Sequence, residues 1–121
     1  MVDYSTQTLD AAYSALASDV RRAIVAQLVE RDRRVTELAR PFDVTLQAIS
    51  KHVRVLEAAG LVRRRIEGRD HWLSLDPEPL AAAGSWIETT RRFWESRLDA
   101  LDALLAESGP SGPTEPKAKR R

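Results

Sequence analysis

Ser50 with His52, and His71 with Ser74, are the residue types of a nucleophile and its base at close spacing. Neither pair can work as one. If residues 45–59 form a helix, Ser50 and His52 diverge by about 200°. Ser74 and His71 fall on one short extended run with no glycine-rich nucleophile turn beside it. Cysteine is absent, which removes thiol nucleophiles, disulfides and thiolate metal sites together. No phosphate-cradling glycine loop is present either. A second set of residues is more informative. Thr45, Gln47, Ala48, Ser50, Lys51 and Arg54 lie close together, and Arg63, Arg65 and Arg69 follow them. Glutamine pairs bidentately with adenine, alanine allows close approach to a thymine methyl, and lysine or arginine neutralises phosphates. The chemistry these residues suit is recognition of an anionic, hydrogen-bonding polymer.

The charge distribution points the same way. The net charge of the whole chain is only +1. Residues 45–72 nevertheless carry six bases against three acids, whereas residues 73–106 carry three bases against six acids. Clustered positive charge says more about a polyanionic partner than the net value does.

These side chains need elements to hold them. Leu9, Ala12, Tyr13 and Leu16 are spaced as a first helix. Ser18 has the character of an N-cap for a second, with Val20, Ile24 and Leu28 on one face. "RDRR" reads as a charged connection, "VTELAR" as a short third helix ending near Pro41, and "FDV" as a tight turn. Thr45 caps a fourth helix whose core stripe is Leu46, Ile49, Val53 and Leu56, and Gly60 ends it. Lys51 points away from that stripe, with Gln47, Ala48, Arg54 and Ala58 around it and Ser50 at its margin. "LVRRRI" and "HWLSL" read as hairpin strands around the turn "EGRD", with Arg69 at the tip. "DPEP" opens a last helix running from about residue 80 to 106. The predicted fold is mainly α with a small β-hairpin, in the order α-α-α-α-β-β-α. A short helix, a turn and a second helix of this kind match helix-turn-helix geometry, in which residues 45–54 enter the DNA major groove. Hairpin 61–75 then flanks the groove as a wing.

The last helix carries apolar or small residues at spacings of three and four, close to a heptad seam. Trp86, Phe93, Trp94, Leu98, Leu101 and Leu105, together with Leu9, Tyr13 and Leu16 of the first helix, are the expected dimer interface. The domain is expected to span residues 1–106. Residues 107–121, "ESGPSGPTEPKAKRR", are expected to be a disordered basic tail. No run approaches the roughly 18 apolar residues of a membrane span, and the N-terminus has no secretion-signal pattern. A cytoplasmic protein is expected.

"LASDVRRAIVAQL", "VTELARPFDVTLQAISKHVRVLEAAGLVRRRIEGRDHWLSLDPEPL" and "WIETTRRFWESRLDALDALL" together resemble the ArsR/SmtB family of bacterial transcriptional regulators. The resemblance spans residues 9–106, and its most specific part is the run Ser50-Lys51-His52-Val53 through Leu61-Val62. It implies a winged helix-turn-helix homodimer that represses transcription from a pseudo-palindromic double-stranded DNA operator. Metal-sensing members of the family carry cysteines on the third helix, or histidine and acids on the last. Here the third helix has no cysteine and the last has Glu88, Glu95, Asp99 and Asp102 without histidine. Carboxylates alone hold zinc or softer ions poorly, so no metal or other cofactor is expected. Trp86, Phe93 and Trp94 leave two readings open: core or dimer contact, or the wall of a cleft for an unidentified small organic effector. The alternative to DNA binding is a winged-helix module for a protein partner. That reading expects acids or large apolar groups on the outer face of the fourth helix.

Overall fold

The computed structural model describes residues 6–107; the basic run at residues 117–121 and the rest of the expected tail lie outside the described residues, apart from Glu107. In chain order the elements are α1 (Thr6–Ala15), α2 (Asp19–Glu30), β1 (Arg33–Arg34), α3 (Val35–Ala39), α4 (Leu46–Ala58), β2 (Val62–Glu67), β3 (Asp70–Leu75) and α5 (Pro77–Glu107). The chain divides into two units, one up to Ser85 and one from Trp86 onward.

Helix boundaries in the first unit follow side-chain capping. Ser18 Oγ accepts the Arg21 amide at 3.2 Å and opens α2. Thr45 Oγ1 accepts the Ala48 amide at 3.0 Å and opens α4. Each satisfies an amide that the first helical turn leaves unpaired. At the far end of α4, Gly60 adopts φ +80°. Its amide donates to Glu57 O and that of Leu61 to Leu56 O, both at 3.0 Å. This paired arrangement turns the chain out of the helix through a left-handed residue, a conformation glycine adopts without steric cost. Leu56 and Leu61, which bracket the turn, are both fully buried.

The core of this unit joins Ile24, Val25 and Leu28 of α2, Leu38 of α3, Ile49, Val53 and Leu56 of α4, and Leu61, Val62 and Leu73 of the hairpin region. Truncating a fully buried residue here, such as Leu56→Ala, costs about 2–5 kcal/mol. The largest share of the fourth helix's burial therefore goes into holding its inner face, which fixes the direction of its outer face.

Several expectations change. "RDRR" is not a plain connection: Arg33 and Arg34 form β1, which pairs antiparallel with β3 opposite Leu73 and Trp72. The hairpin is thereby extended to a three-stranded sheet of order β1-β3-β2. The turn before α4 is longer than "FDV", because α3 stops at Ala39 and residues 40–45 intervene. Arg40 keeps right-handed helical angles in spite of Pro41. Leu46 does not join the core stripe; it is 47% exposed, because at the first position of the helix no preceding turn covers it. The first helix ends at Ala15 and the last begins at Pro77, where Asp76 Oδ1 accepts the Glu78 amide at 3.1 Å. Among the described residues no helix is long and apolar enough to cross a membrane.

Candidate nucleic-acid interface

Along α4, Gln47, Lys51 and Arg54 are exposed, Ala48 and Ser50 are half-buried, and Thr45 is exposed just ahead of them. The only acid of the helix is Glu57, and it is occupied: both its oxygens accept from Arg64, at 3.0 and 2.9 Å. Lys51 and Arg54 have no ion-pair partner among the described residues. The outward side of α4 therefore carries a glutamine, small residues and two cations without an ion-pair partner among the described residues, beside the exposed apolar side chains of Leu46 and Val55. Thr45 Oγ1 accepts its capping bond, and its hydroxyl proton is left to donate to another acceptor.

The hairpin differs. Its two strands are in register from Val62 opposite Leu75 to Glu67 opposite Asp70, and Gly68 (φ +64°) and Arg69 form the connection. A glycine at the first position of a two-residue loop suits the twist of the flanking strands. Arg63 donates to Asp76 Oδ2 at 2.8 Å. Arg65 donates to Glu67 Oε2 at 2.7 Å and to Asp32 Oδ2 at 3.4 Å. Its guanidinium also stands 5.9 Å from the centre of the Trp72 ring, with that of Arg34 5.4 Å from the same ring. Since Arg34, Trp72 and Arg65 are register partners across β1, β3 and β2, they form one row across the sheet. The Glu67 carboxylate holds the Arg65 pKa above its ordinary value, and Glu57 does the same for Arg64. Only Arg69, at the tip, is exposed without an ion-pair partner among the described residues.

His52 stands on the edge of α4 and accepts at Nδ1 from Arg21 Nη1 at 3.2 Å. Arg21 Nε donates in turn to Ala15 O at 2.7 Å. The arginine ties the end of α1 to α4, and His52 has a structural partner. His71 Nδ1 faces Arg64 Nη1 at 3.0 Å. Neither link was legible in the sequence, because each joins residues from different elements.

The residues expected at a dimer interface fall into two groups. In the first unit, Leu9 and Tyr13 are half-buried, the Tyr13 hydroxyl donates to Ala83 O at 2.6 Å, and Leu16 packs against the core. In the second unit, Trp86, Phe93, Trp94, Leu98, Leu101 and Leu105 are all exposed on α5. Arg97 stacks on the Phe93 ring at 5.6 Å. Arg91 bridges Glu88 and Glu95 at 2.7 and 2.6 Å, and its bond to Glu88, followed by that of Arg92 at 3.0 Å, holds the Glu88 carboxyl below its ordinary range. Among the described residues no group of three or more His, Asp or Glu side chains is placed to hold a metal ion.

Comparison with known proteins agrees with this geometry. A helix-turn-helix domain family matches residues 16–65. The HTH-type transcriptional regulator Rv2034 of Mycobacterium tuberculosis is 39% identical over 100 residues, covering 83% of this chain and 91% of the relative. The HTH-type transcriptional repressor SmtB of the same organism is 43% identical over 67 residues, which cover 53% of this chain and half of SmtB. Among solved structures, the ArsR family transcriptional regulator RHA00566 superimposes with a TM-score of 0.71 at 34% identity, covering 79% of this chain and 98% of that one. An ArsR-like transcriptional regulator from Rhodococcus sp. RHA1 has the same TM-score at 28% identity, covering 81% of this chain and 92% of that one. With its winged helix-turn-helix fold, a relative matched over 91% of its length and an ArsR family structure matched over 98%, the chain belongs to the ArsR/SmtB family of DNA-binding transcriptional regulators.

Proposed function

We propose that two copies of the chain bind a pseudo-palindromic operator and repress transcription from it, by binding alone and without catalysis. The observation that carries this reading is the outer face of α4, where Gln47, Lys51 and Arg54 are exposed and, among the described residues, meet no carboxylate. In the proposed complex, Gln47 and Ala48 meet base edges, Ser50 lies at the groove margin, and Lys51 and Arg54 lie on phosphates. Arg69 reaches the backbone from the wing tip, and Arg63 and Arg65 assist after exchanging their carboxylates for phosphates. A repressing role is supported by the name of SmtB, a transcriptional repressor.

Dimerisation is supported by the exposed apolar stripe of α5. Trp94 at 60% exposed and Leu105 at 64% exposed are large apolar surfaces that water solvates at a cost. Half-buried Leu9, Tyr13 and Leu16 of α1 are proposed to complete the interface. The same aromatic surface is the proposed wall for an organic effector, and among the described residues no cluster of His, Asp or Glu is placed to hold a metal ion. A protein that binds the chromosome in this way works in the bacterial cytoplasm.

Fluorescence anisotropy with promoter and scrambled duplexes, across a salt series, tests the reading. Tight binding to the promoter alone, weakening steeply with salt, is expected. Equal weak binding to both duplexes, or none at low salt, overturns it and favours a protein partner for the outer face of α4. Sedimentation of the wild type and of Trp94→Asp tests the dimer; the variant is expected to sediment as a monomer.

A further inference from the structure

We propose that Leu46 is a specificity-determining residue that reads the C5-methyl group of a thymine. The inference rests on the reading of α4 as the DNA-contacting helix and identifies one of the bases that helix selects.

The carrying observation is that Leu46 leaves the core it was spaced to join. Ile49, Val53 and Leu56 are fully buried, whereas Leu46 is 47% exposed. A single exposed leucine is ordinary on any surface. This one has two features that are not. Val44, two residues earlier and just ahead of the N-cap, is equally exposed, so two large apolar side chains are open to solvent at the start of the helix. Leu46 also heads a row of residues spaced by four, continuing to Ser50 and Arg54, so it shares its side of α4 with a half-buried hydroxyl and an unneutralised cation. Gln47 and Ala48 are its immediate neighbours.

An apolar group at this place has one complementary feature in duplex DNA. The major groove displays donors and acceptors on every base pair but only one large apolar group, the thymine methyl. Residues at the N-terminal end of a recognition helix are those that come closest to base edges. Adenine, which a glutamine side chain can pair with bidentately, has thymine as its partner on the opposite strand. Gln47 and Leu46, side by side, therefore suit adjacent features of an A·T-containing step. A polar side chain at position 46 would forgo the methyl contact and gain hydrogen bonds elsewhere, so leucine here is a choice between bases.

The test begins by selecting a binding duplex from a random library with the full chain. Each thymine of that duplex is then replaced singly by deoxyuridine, which removes the methyl and leaves the hydrogen-bonding edge unchanged. Affinities of the wild type and of Leu46→Ala are measured on every duplex. One thymine per half-site is expected to lose about fourfold with the wild type when its methyl is removed, the affinity equivalent of about one buried carbon. Leu46→Ala, which removes the contact from both half-sites, is expected to bind the parent duplex about 16-fold more weakly and to be indifferent to the uracil at that position. Circular dichroism of the variant is expected to match the wild type, since the side chain is not in the core. Two results overturn the inference while leaving DNA binding intact: no thymine shows a methyl effect, or the effect survives undiminished in Leu46→Ala. Failure of the library to enrich any sequence overturns the DNA-binding reading itself, and this inference with it. Val44→Ala, measured on the same duplexes, is expected to have the smaller effect and to leave the methyl dependence at that thymine in place.

Discussion

The fourth helix and the hairpin carry the same residue types and put them to different use. On α4, Lys51 and Arg54 meet no carboxylate among the described residues, because the helix's single acid is turned toward Arg64. On the hairpin, Arg63, Arg64 and Arg65 are each held by an acid, Asp76, Glu57 and Glu67 respectively. A tethered arginine must break its ion pair before it can serve a phosphate, whereas an untethered one need only shed water. The charge available to DNA is therefore smaller on the wing than its arginine count suggests. Within the wing, the Arg34–Trp72–Arg65 row links all three strands on one face.

The sharpest way to break this comparison is to reverse charge on the helix. Lys51→Glu or Arg54→Glu is expected to lower DNA affinity on the order of 100-fold, through the loss of a charge-assisted phosphate bond and the introduction of repulsion. Thermal stability is expected to change little, because both side chains are exposed. Anisotropy at a fixed salt concentration, beside a melting curve, separates the two. A loss below threefold for both variants would make the helix no more available to phosphate than the wing.

Next in size is the wing tip. Arg69→Ala is expected to weaken binding by about tenfold, evenly across sequences, and to reduce the slope of log affinity against log salt by about 1. Arg63→Ala, by contrast, is expected to cost less than about threefold, since its guanidinium is already committed to Asp76. If the two variants lose equally, the ion pairs of the wing do not ration its charge.

Much of this was legible in the sequence because it depends on near neighbours. The caps at Ser18 and Thr45, the glycine turn at Gly60 and the outward direction of Lys51 all follow from residues within one helical turn. The helix-turn-helix order and the hairpin also emerge from local pattern. What sequence could not show depends on contacts between distant residues. Two arginines carry no strand signal, and β1 exists only because β3 offers it a pairing edge. Arg64 meets Glu57 across an element boundary, and Arg65 meets Asp32 from thirty-three positions away. Counting bases along the chain therefore overstates the wing. Leu46 fails for another reason: helical periodicity is blind to where a helix begins, and a residue in its first turn has no preceding turn to cover it.

A third test works in the opposite direction, by releasing a tethered arginine. Glu67→Gln combined with Asp32→Asn removes both carboxylates from Arg65. DNA affinity is expected to rise by about threefold, within the range an exposed ion pair is worth. Removing two negative charges also strengthens binding nonspecifically, so the same substitutions are made together with Arg65→Ala. The gain is expected to shrink in that background. An undiminished gain would mean that the acids act on DNA directly and that Arg65 is not the residue they restrain.

The smallest effect concerns an acid whose main partner is a backbone amide, with the looser ion pairs of Arg31 at 3.8 Å and Arg34 at 3.7 Å beside it. Glu37 Oε1 accepts the Arg34 amide at 2.9 Å at the start of α3. That hydrogen bond, chiefly, and the positive charges of Arg31, Arg34 and Arg40 hold its carboxyl below the ordinary value. A carboxyl with a lowered native pKa binds its proton less readily in the folded chain than in the unfolded one. Its contribution is therefore complete above the unfolded value of about 4.3 and is lost as pH falls through the lower, folded one. Glu37→Gln is expected to lower the melting temperature slightly by a constant amount between pH 6 and 8, with the difference from wild type closing as pH drops below that range's acid side toward and past about 4.3. Salt separates this acid from those of the wing. A carboxylate bound to a backbone amide keeps most of its effect at about 1 M salt, where the Debye length is near 3 Å, while exposed ion pairs such as Arg65–Glu67 lose theirs. A Glu37→Gln difference that vanished at high salt would place Glu37 with the wing acids, and the division between an acid that builds the helix-turn-helix and acids that restrain the wing would no longer hold.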